Sequence, residues 1–157
     1  MNEDIDAVDL RLLQALQSDA SLSNQDLAAR VAVSPATCLR RVKRLVDAGI
    51  IERRVAILSI DKLGAGLSAL LEITLDRQGA EHLDAFEARA VQEPAVQQCW
   101  RVSPGPDFVL VAQVRDMPAY HALTQRLLTQ DANVRNIKAF FSVKRAKFDT
   151  RLTLPSP

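Results

Sequence analysis

The sequence predicts an α+β protein in which an N-terminal winged helix-turn-helix domain is joined to a C-terminal ferredoxin-like βαββαβ domain. Two observations lead to this fold class. The first fifty residues contain three apolar-periodic segments that begin with the same helix-start signal. From about residue 65 the pattern changes to strand-like and helix-like segments in the order β-α-β-β-α-β. The predicted domain boundaries are 1–54 for the winged helix-turn-helix, 55–64 for a wing or linker strand, and 65–157 for the ferredoxin-like domain.

Three helices are predicted in the first domain, at 6–18, 24–31 and 35–48. Each is preceded by a side chain whose oxygen can accept hydrogen bonds from the unpaired first amides of a helix, namely Asp6, Ser23 and Ser34. Pro35 suits the first position of the third helix, and Gly49 suits its end. Because only a few residues separate the second and third helices, they are expected to form a helix-turn-helix. The alternating segment at 50–60 is predicted to add a strand as a wing.

The third predicted helix is unusually basic. The chain has a formal net charge of only +1, yet residues 34–54 contain six cationic and two acidic side chains. The side chains expected to pack against the other helices are Leu39, Val42, Leu45 and Val46. The opposite side of the helix is expected to expose Thr37, Arg40 and Arg44, with Arg41 and Lys43 at the margins. A helix with such a face fits the major groove of DNA, where arginine binds phosphates and guanine edges. The alternative, a solvated charged face, would be preferred for a basic run outside this context.

The second domain is predicted to contain four strands, two helices and a turn. The strands are placed at 66–76, 95–103, 108–115 and 134–148, the helices at 79–94 and 117–130, and the turn at 104–107. An open four-stranded sheet leaves one face in need of cover. Ile137, Ala139 and Phe141 are expected on that face, and self-association through the sheet is expected to cover it.

Several classes of function find no support in the composition. No segment approaches the length of a membrane span, and the acidic N-terminus does not resemble a signal peptide, so a cytoplasmic location is expected. Cys38 and Cys99 lie far apart, as do His82 and His121, so neither a metal site nor a catalytic group is predicted. Cys38 is interpreted as a small packing residue. No cofactor is expected.

Two stretches resemble the Lrp/AsnC family of transcription regulators. The segment from Ile5 to Ile51 resembles the family's DNA-binding domain, including the opening D-x-x-D-x-x-L-L and the helix S-P-x-x-C-L-x-R-V-x-R-L. The segment "RVSPGPDFVLVAQVRDMPAY" resembles the family's central β-hairpin and the helix after it. The resemblance covers nearly the whole chain. It implies a non-enzymatic regulator that binds double-stranded DNA as dimers assembled into tetramers or octamers.

The resemblance also implies site residues. For DNA contact these are Ser34, Pro35, Thr37, Arg40, Arg41 and Arg44. Arg40 and Arg44 are expected in the groove, while Ser34 and Arg41 are expected on phosphates. Effectors of the family are usually amino acids or related small molecules, bound in the C-terminal domain at a subunit interface.

The expected effector site departs from the family pattern at one position. The family's turn usually reads V-S/T-G-x-x-D, whereas this chain has Pro104 at the glycine position and keeps Asp107. The residues expected to line the site are Ser103, Gly105, Asp107, Met117, Phe140, Phe141 and Ser142. Proline removes an amide donor and stiffens a turn, so Asp107 acting only as a turn cap is the alternative. Two other functions stay open: a ligand-insensitive architectural DNA-binding protein and, less favoured, a ferredoxin-like dimeric enzyme.

Overall fold

The computed structural model describes residues 5–60, 62–64, 66–129 and 133–155. The chain forms two compact units. The first lies within residues 1–57 and also takes in the C-terminal segment from residue 147, and the second spans residues 58–146. The sequence-based boundaries differ here, because they assign the whole C-terminal segment to the second domain. No helix in the described ranges is both long enough and apolar enough to cross a membrane.

The first unit contains the three predicted helices. They are α1 (Ala7–Ser18), α2 (Asn24–Val31) and α3 (Pro35–Asp47), each within one residue of its predicted bounds. All three begin as predicted. The side chains of Asp6, Ser23 and Ser34 accept hydrogen bonds from backbone amides in the first turn of the helix that follows. The local cap chemistry therefore determines where the helices start.

The core of the first unit differs from the prediction at α3. Cys38 and Leu45 are fully buried, but Leu39 is 62% exposed and Val46 is 45% exposed. The predicted apolar stripe of α3 is therefore wrong in part. Cys38 and Leu45 are two turns apart and carry the packing, so the two neighbouring apolar residues fall outside the contact. The interpretation of Cys38 as a packing residue agrees with its position, and burial raises the pKa of its thiol.

The predicted wing strand at 55–64 is not formed. Residues 52–59 have no regular secondary structure, and Ile60 and residues 62–64 lie in turns. The side chains of Val55, Ile57 and Leu58 are exposed. An alternating segment becomes a strand only when a neighbouring strand pairs with its backbone, and no such neighbour is present among the described residues of this chain.

The second unit has the predicted β-α-β-β-α-β order. Its elements are β1 (Leu67–Leu75), α4 (Ala80–Ala90), β2 (Val96–Arg101), β3 (Phe108–Val114), α5 (Met117–Thr124) and β4 (Val134–Phe141). A π-helical turn, Gln125–Thr129, continues α5. The strands form an antiparallel sheet in the order β2-β3-β1-β4. The last strand ends at residue 141, seven residues before its predicted end.

The two faces of the sheet have different surroundings. Ala69, Leu71 and Ile73 of β1 point into the buried core with residues of α4 and α5. Ile137, Ala139 and Phe141 are paired with these three residues and share their face, so their predicted placement on the uncovered face is wrong. The uncovered face instead carries the paired residues Leu70 and Phe140, which are 42% and 52% exposed.

Gly66 brings the start of β1 close to the end of β3. It has a φ of 58°, and a Cβ at this position would overlap the carbonyl groups of Val114 and Arg115. Gly64 has a similar φ of 63° but open space around it. Substitution at Gly64 therefore tests the positive φ alone, whereas substitution at Gly66 tests the positive φ together with steric overlap.

We expect Gly66→Ala to lower the free energy of unfolding by about 2–3 kcal/mol, because strain from the positive φ adds to the overlap. Gly64→Ala is the matched control and should cost about 1 kcal/mol. Urea denaturation followed by circular dichroism measures both values. Equal losses in the two variants would show that the close approach of β1 and β3 contributes nothing.

Candidate nucleic-acid interface

The exposed face of α3 is formed by residues in its first three turns. Ala36, Leu39, Arg40 and Lys43 are exposed, and they lie opposite the buried residues Cys38 and Leu45. Within the described ranges, neither the Arg40 nor the Lys43 side chain forms a hydrogen bond or an ion pair. These two cations can therefore bind a polyanion without losing a partner in the described part of the chain.

Arg41 and Arg44 have a different environment, because both bind the buried carboxylate of Asp9. The Arg41 guanidinium donates to Asp9 Oδ1 at 3.0 Å, and the Arg44 guanidinium donates to Asp9 Oδ2 at 2.5 Å. Arg41 also donates to Asp6 Oδ2 at 2.7 Å. Asp9 is completely buried. A buried carboxylate is stable only when it is paired and hydrogen-bonded, so these contacts tie α3 to the start of α1.

The same cluster shifts two pKa values. The backbone amide of Asp9 and then the Arg41 guanidinium donate to Asp6, which lowers the pKa of that carboxyl to about 2. The pKa of Arg41 is raised by its hydrogen bonds to Asp6 and Asp9. Asp6 is therefore charged at every pH above about 4, and the ion pair persists throughout that range.

Ser34, Pro35 and Thr37 form the N-terminal end of α3. Ser34 Oγ accepts from the backbone amide of Thr37 at 3.2 Å and donates to Thr37 Oγ1 at 2.9 Å. The side-chain amide of Asn24 donates to the backbone oxygen of Pro35 at 2.9 Å, which ties α2 to α3. All six residues predicted to contact DNA thus lie on one helix and its cap. Some of these six residues are exposed, and the others also hold the helices together.

The predicted effector residues are not brought together in one protomer. The turn with Ser103, Gly105 and Asp107 lies beside the end of β1, because the Asp107 amide donates to the Ile73 carbonyl at 2.8 Å. Met117 and the stretch 140–142 lie at the opposite end, where Phe141 pairs with Ala69. The four residue steps along β1 from Ala69 to Ile73 separate these levels by roughly 13 Å. A single chain therefore does not gather these residues, and the effector site expected at a subunit interface stays a prediction.

Asp107 has a clear structural contact. Its Oδ2 accepts hydrogen bonds from the Leu75 amide at 2.7 Å and from the Gln78 side chain at 3.2 Å. Gly105 in the same turn has a φ of 127°, which favours glycine. The carboxylate thus has a structural role, because it fixes the segment that leaves β1. The indole of Trp100, which precedes this turn, is 58% exposed and does not belong to the core.

The sequence did not reveal the contact between α1 and the C-terminal segment. The Gln17 side chain accepts from the Leu152 amide at 2.6 Å and donates to the Leu152 carbonyl at 3.2 Å. A cavity of about 600 Å³ lies beside this contact. Its lining residues are Gln14, Gln17, Ser18, Lys147, Asp149, Arg151, Leu152 and Thr153. A single glutamine among polar neighbours gives no sequence signal for such a long-range contact.

Comparison with known proteins covers both units. Residues 5–52 match a family model described as winged helix-turn-helix DNA-binding, and residues 68–152 match the Lrp/AsnC ligand binding domain. An HTH-type transcriptional regulator from Haemophilus influenzae is 37% identical over 96% of this chain and 89% of its own length. The leucine-responsive regulatory protein of Rhizobium meliloti is 33% identical over 92% of both chains.

A solved structure gives the same result for the fold. The transcriptional regulator of Neisseria meningitidis in complex with L-methionine has a TM-score of 0.85 and is 33% identical. The match covers 94% of this chain and 96% of that chain.

We expect Asp9→Asn to lower the free energy of unfolding by about 2–3 kcal/mol, because Arg41 and Arg44 lose their shared anion. Asp26→Asn is the matched control. Asp26 occupies the same third position in α2 but is exposed, so its replacement should cost less than about 0.5 kcal/mol. Denaturant unfolding at neutral pH measures both. Similar values for the two variants would contradict the assigned role of the buried carboxylate.

Proposed function

Because this chain belongs to the Lrp/AsnC family of transcription regulators, we propose that its helix-turn-helix unit recognises specific duplex DNA through the exposed face of α3. The observation that carries this proposal is the pair of exposed cations, Arg40 and Lys43, whose side chains have no partner in the described part of the chain, on a helix held from behind by buried contacts. A rigidly held basic helix of this kind fits the major groove.

The roles proposed for individual residues follow from their contacts. Arg40 enters the groove, where its guanidinium can donate two hydrogen bonds to a guanine. Lys43 and the cap residues Ser34 and Thr37 lie near phosphates, which position the helix. Arg44, which the sequence places in the groove, is better suited to holding α3 in position with Arg41, because both guanidiniums already bind Asp9.

The proposed assembly uses the uncovered face of the sheet. Leu70 and Phe140 form an exposed apolar pair there, and a second copy of the chain would remove it from water. We place the resulting dimers in tetramers or octamers. A transcription regulator acts where its DNA is, so we propose a cytoplasmic location. The proposed function requires no catalytic step.

We also propose regulation by an amino acid. The support is the ligand-binding family model over residues 68–152 and the relative that is known in complex with L-methionine. Because the predicted effector residues lie at two different levels of the sheet in one protomer, a complete site needs residues from two copies. The ligand must bind one arrangement of the copies more tightly than another in order to act. The engaged carboxylate of Asp107 favours the second candidate, a ligand-insensitive architectural DNA-binding protein.

Removal of the Arg40 guanidinium should weaken specific DNA binding about tenfold or more. The probe is a duplex selected from a random library by the wild-type protein, and fluorescence anisotropy against unrelated duplex measures affinity at several salt concentrations. Lys43→Ala should reduce the slope of log affinity against log salt by about one per protomer. Arg77→Ala, an exposed cation of the second unit, is the control and should change neither quantity.

Wild-type protein that shows no preference for any duplex, even at low salt, would refute the proposed function. Specific binding that survives in Arg40→Ala would leave the function standing and refute the groove assignment.

Phe140→Glu should reduce the size of the assembly and abolish stabilisation by amino acids, because the effector site needs two copies. Light scattering measures the size, and thermal unfolding with each amino acid, L-methionine included, measures ligand binding. Val143→Glu is the control, since Val143 is fully exposed beyond the end of β4. If no amino acid raises the unfolding temperature of the wild type, the ligand-insensitive alternative replaces the regulated one.

A further inference from the structure

Leu39 is an exposed leucine within the basic surface of α3. Its side chain is 62% exposed and lies between Ala36 and Lys43 along the helix, next to Arg40. A single exposed leucine is ordinary on a protein surface. This one differs because both cations beside it are unengaged by the described part of the chain, so a polyanion that meets them also covers Leu39.

The helical geometry places these side chains on one narrow face. At about 100° per residue, Ala36, Leu39, Arg40 and Lys43 fall within an arc of about 100°. All four lie in the N-terminal two-thirds of α3, and the first residues of a recognition helix are those that reach base edges. With α3 in the major groove, the Leu39 side chain would therefore be desolvated against the base edges.

The chemistry of the groove then limits what Leu39 can contact. The donor and acceptor groups of the bases would lose hydrogen bonds to water and gain none from a leucine. The apolar group presented on this edge is the 5-methyl of thymine. We infer that Leu39 is a specificity-determining residue that reads a thymine through its 5-methyl group. This inference rests on the proposed function and adds a base preference to it.

Single substitutions of deoxyuridine for thymine test the inference, because each removes one methyl group and leaves base pairing intact. The probe is the duplex selected by the wild-type protein. Each thymine in the half-sites that the protein covers is replaced in turn. At one position or more, the substitution should weaken wild-type binding about fourfold. The same substitution should have no effect on Leu39→Ala.

Two variants serve as controls. Val46→Ala removes another exposed apolar side chain of α3, near its C-terminal end, and should keep the wild-type sensitivity to the methyl group. Arg40→Ala should bind more weakly overall and also keep that sensitivity. Unchanged thermal unfolding of Leu39→Ala shows that the fold is intact.

Three results would overturn the inference while the proposed function stands: a selected half-site without thymine, wild-type binding that ignores every methyl group, or methyl sensitivity that persists in Leu39→Ala. A smaller assembly in Leu39→Ala would assign the side chain to contact between copies and overturn it as well. Wild-type protein without sequence-specific binding would refute the proposed function itself, and the inference with it.

Discussion

The carboxylate of Asp9 is the contact on which the arrangement of the first unit depends. It lies in the first turn of α1, is completely buried, and accepts hydrogen bonds from the Asp6 amide, Arg41 and Arg44. A charge in that position is costly unless each partner stays in place. The start of α1 and the middle of α3 are therefore held in one geometry. The apolar contacts of Cys38 and Leu45 provide the rest of the packing.

This contact also determines which cations remain for DNA. Of the four in the basic run, the two that face α1 pair with acidic groups of the same unit, and the two on the outer face pair with none among its described residues. The surface offered to a nucleic acid is thus smaller and less charged than the sequence alone indicates. A smaller charge lowers the sequence-independent part of DNA affinity, and in the proposed complex base contacts would carry a larger share of recognition.

The second unit shows a comparable division between structural and exposed groups. Asp107 is engaged with the segment after β1, so the most family-like residue of the predicted effector site has a structural partner. The strand pairing places the predicted residues Phe140 and Phe141 at the other end of the sheet. Meanwhile Leu70 and Phe140 leave an apolar area on the uncovered face. Both features support the proposal that a complete ligand site forms between two copies of the chain.

The sequence by itself determined the three helices of the first unit and the β-α-β-β-α-β order of the second, because caps such as Asp6 and Ser34 and the apolar periodicities are local signals. It did not determine the wing, since a strand forms only where another strand pairs with it. It also placed every predicted DNA-contacting residue on one helix and its cap. Only the tertiary structure decided which residues of α3 are buried, since Leu39 and Cys38 are neighbours whose burial depends on the contacts of α1 and α2. It likewise decided that Arg44 is bound, because its partner Asp9 lies 35 residues away in the chain, whereas the Arg40 side chain has no partner among the described residues. Local patterns indicate what a segment can form, whereas long-range pairing selects which of its side chains remain available.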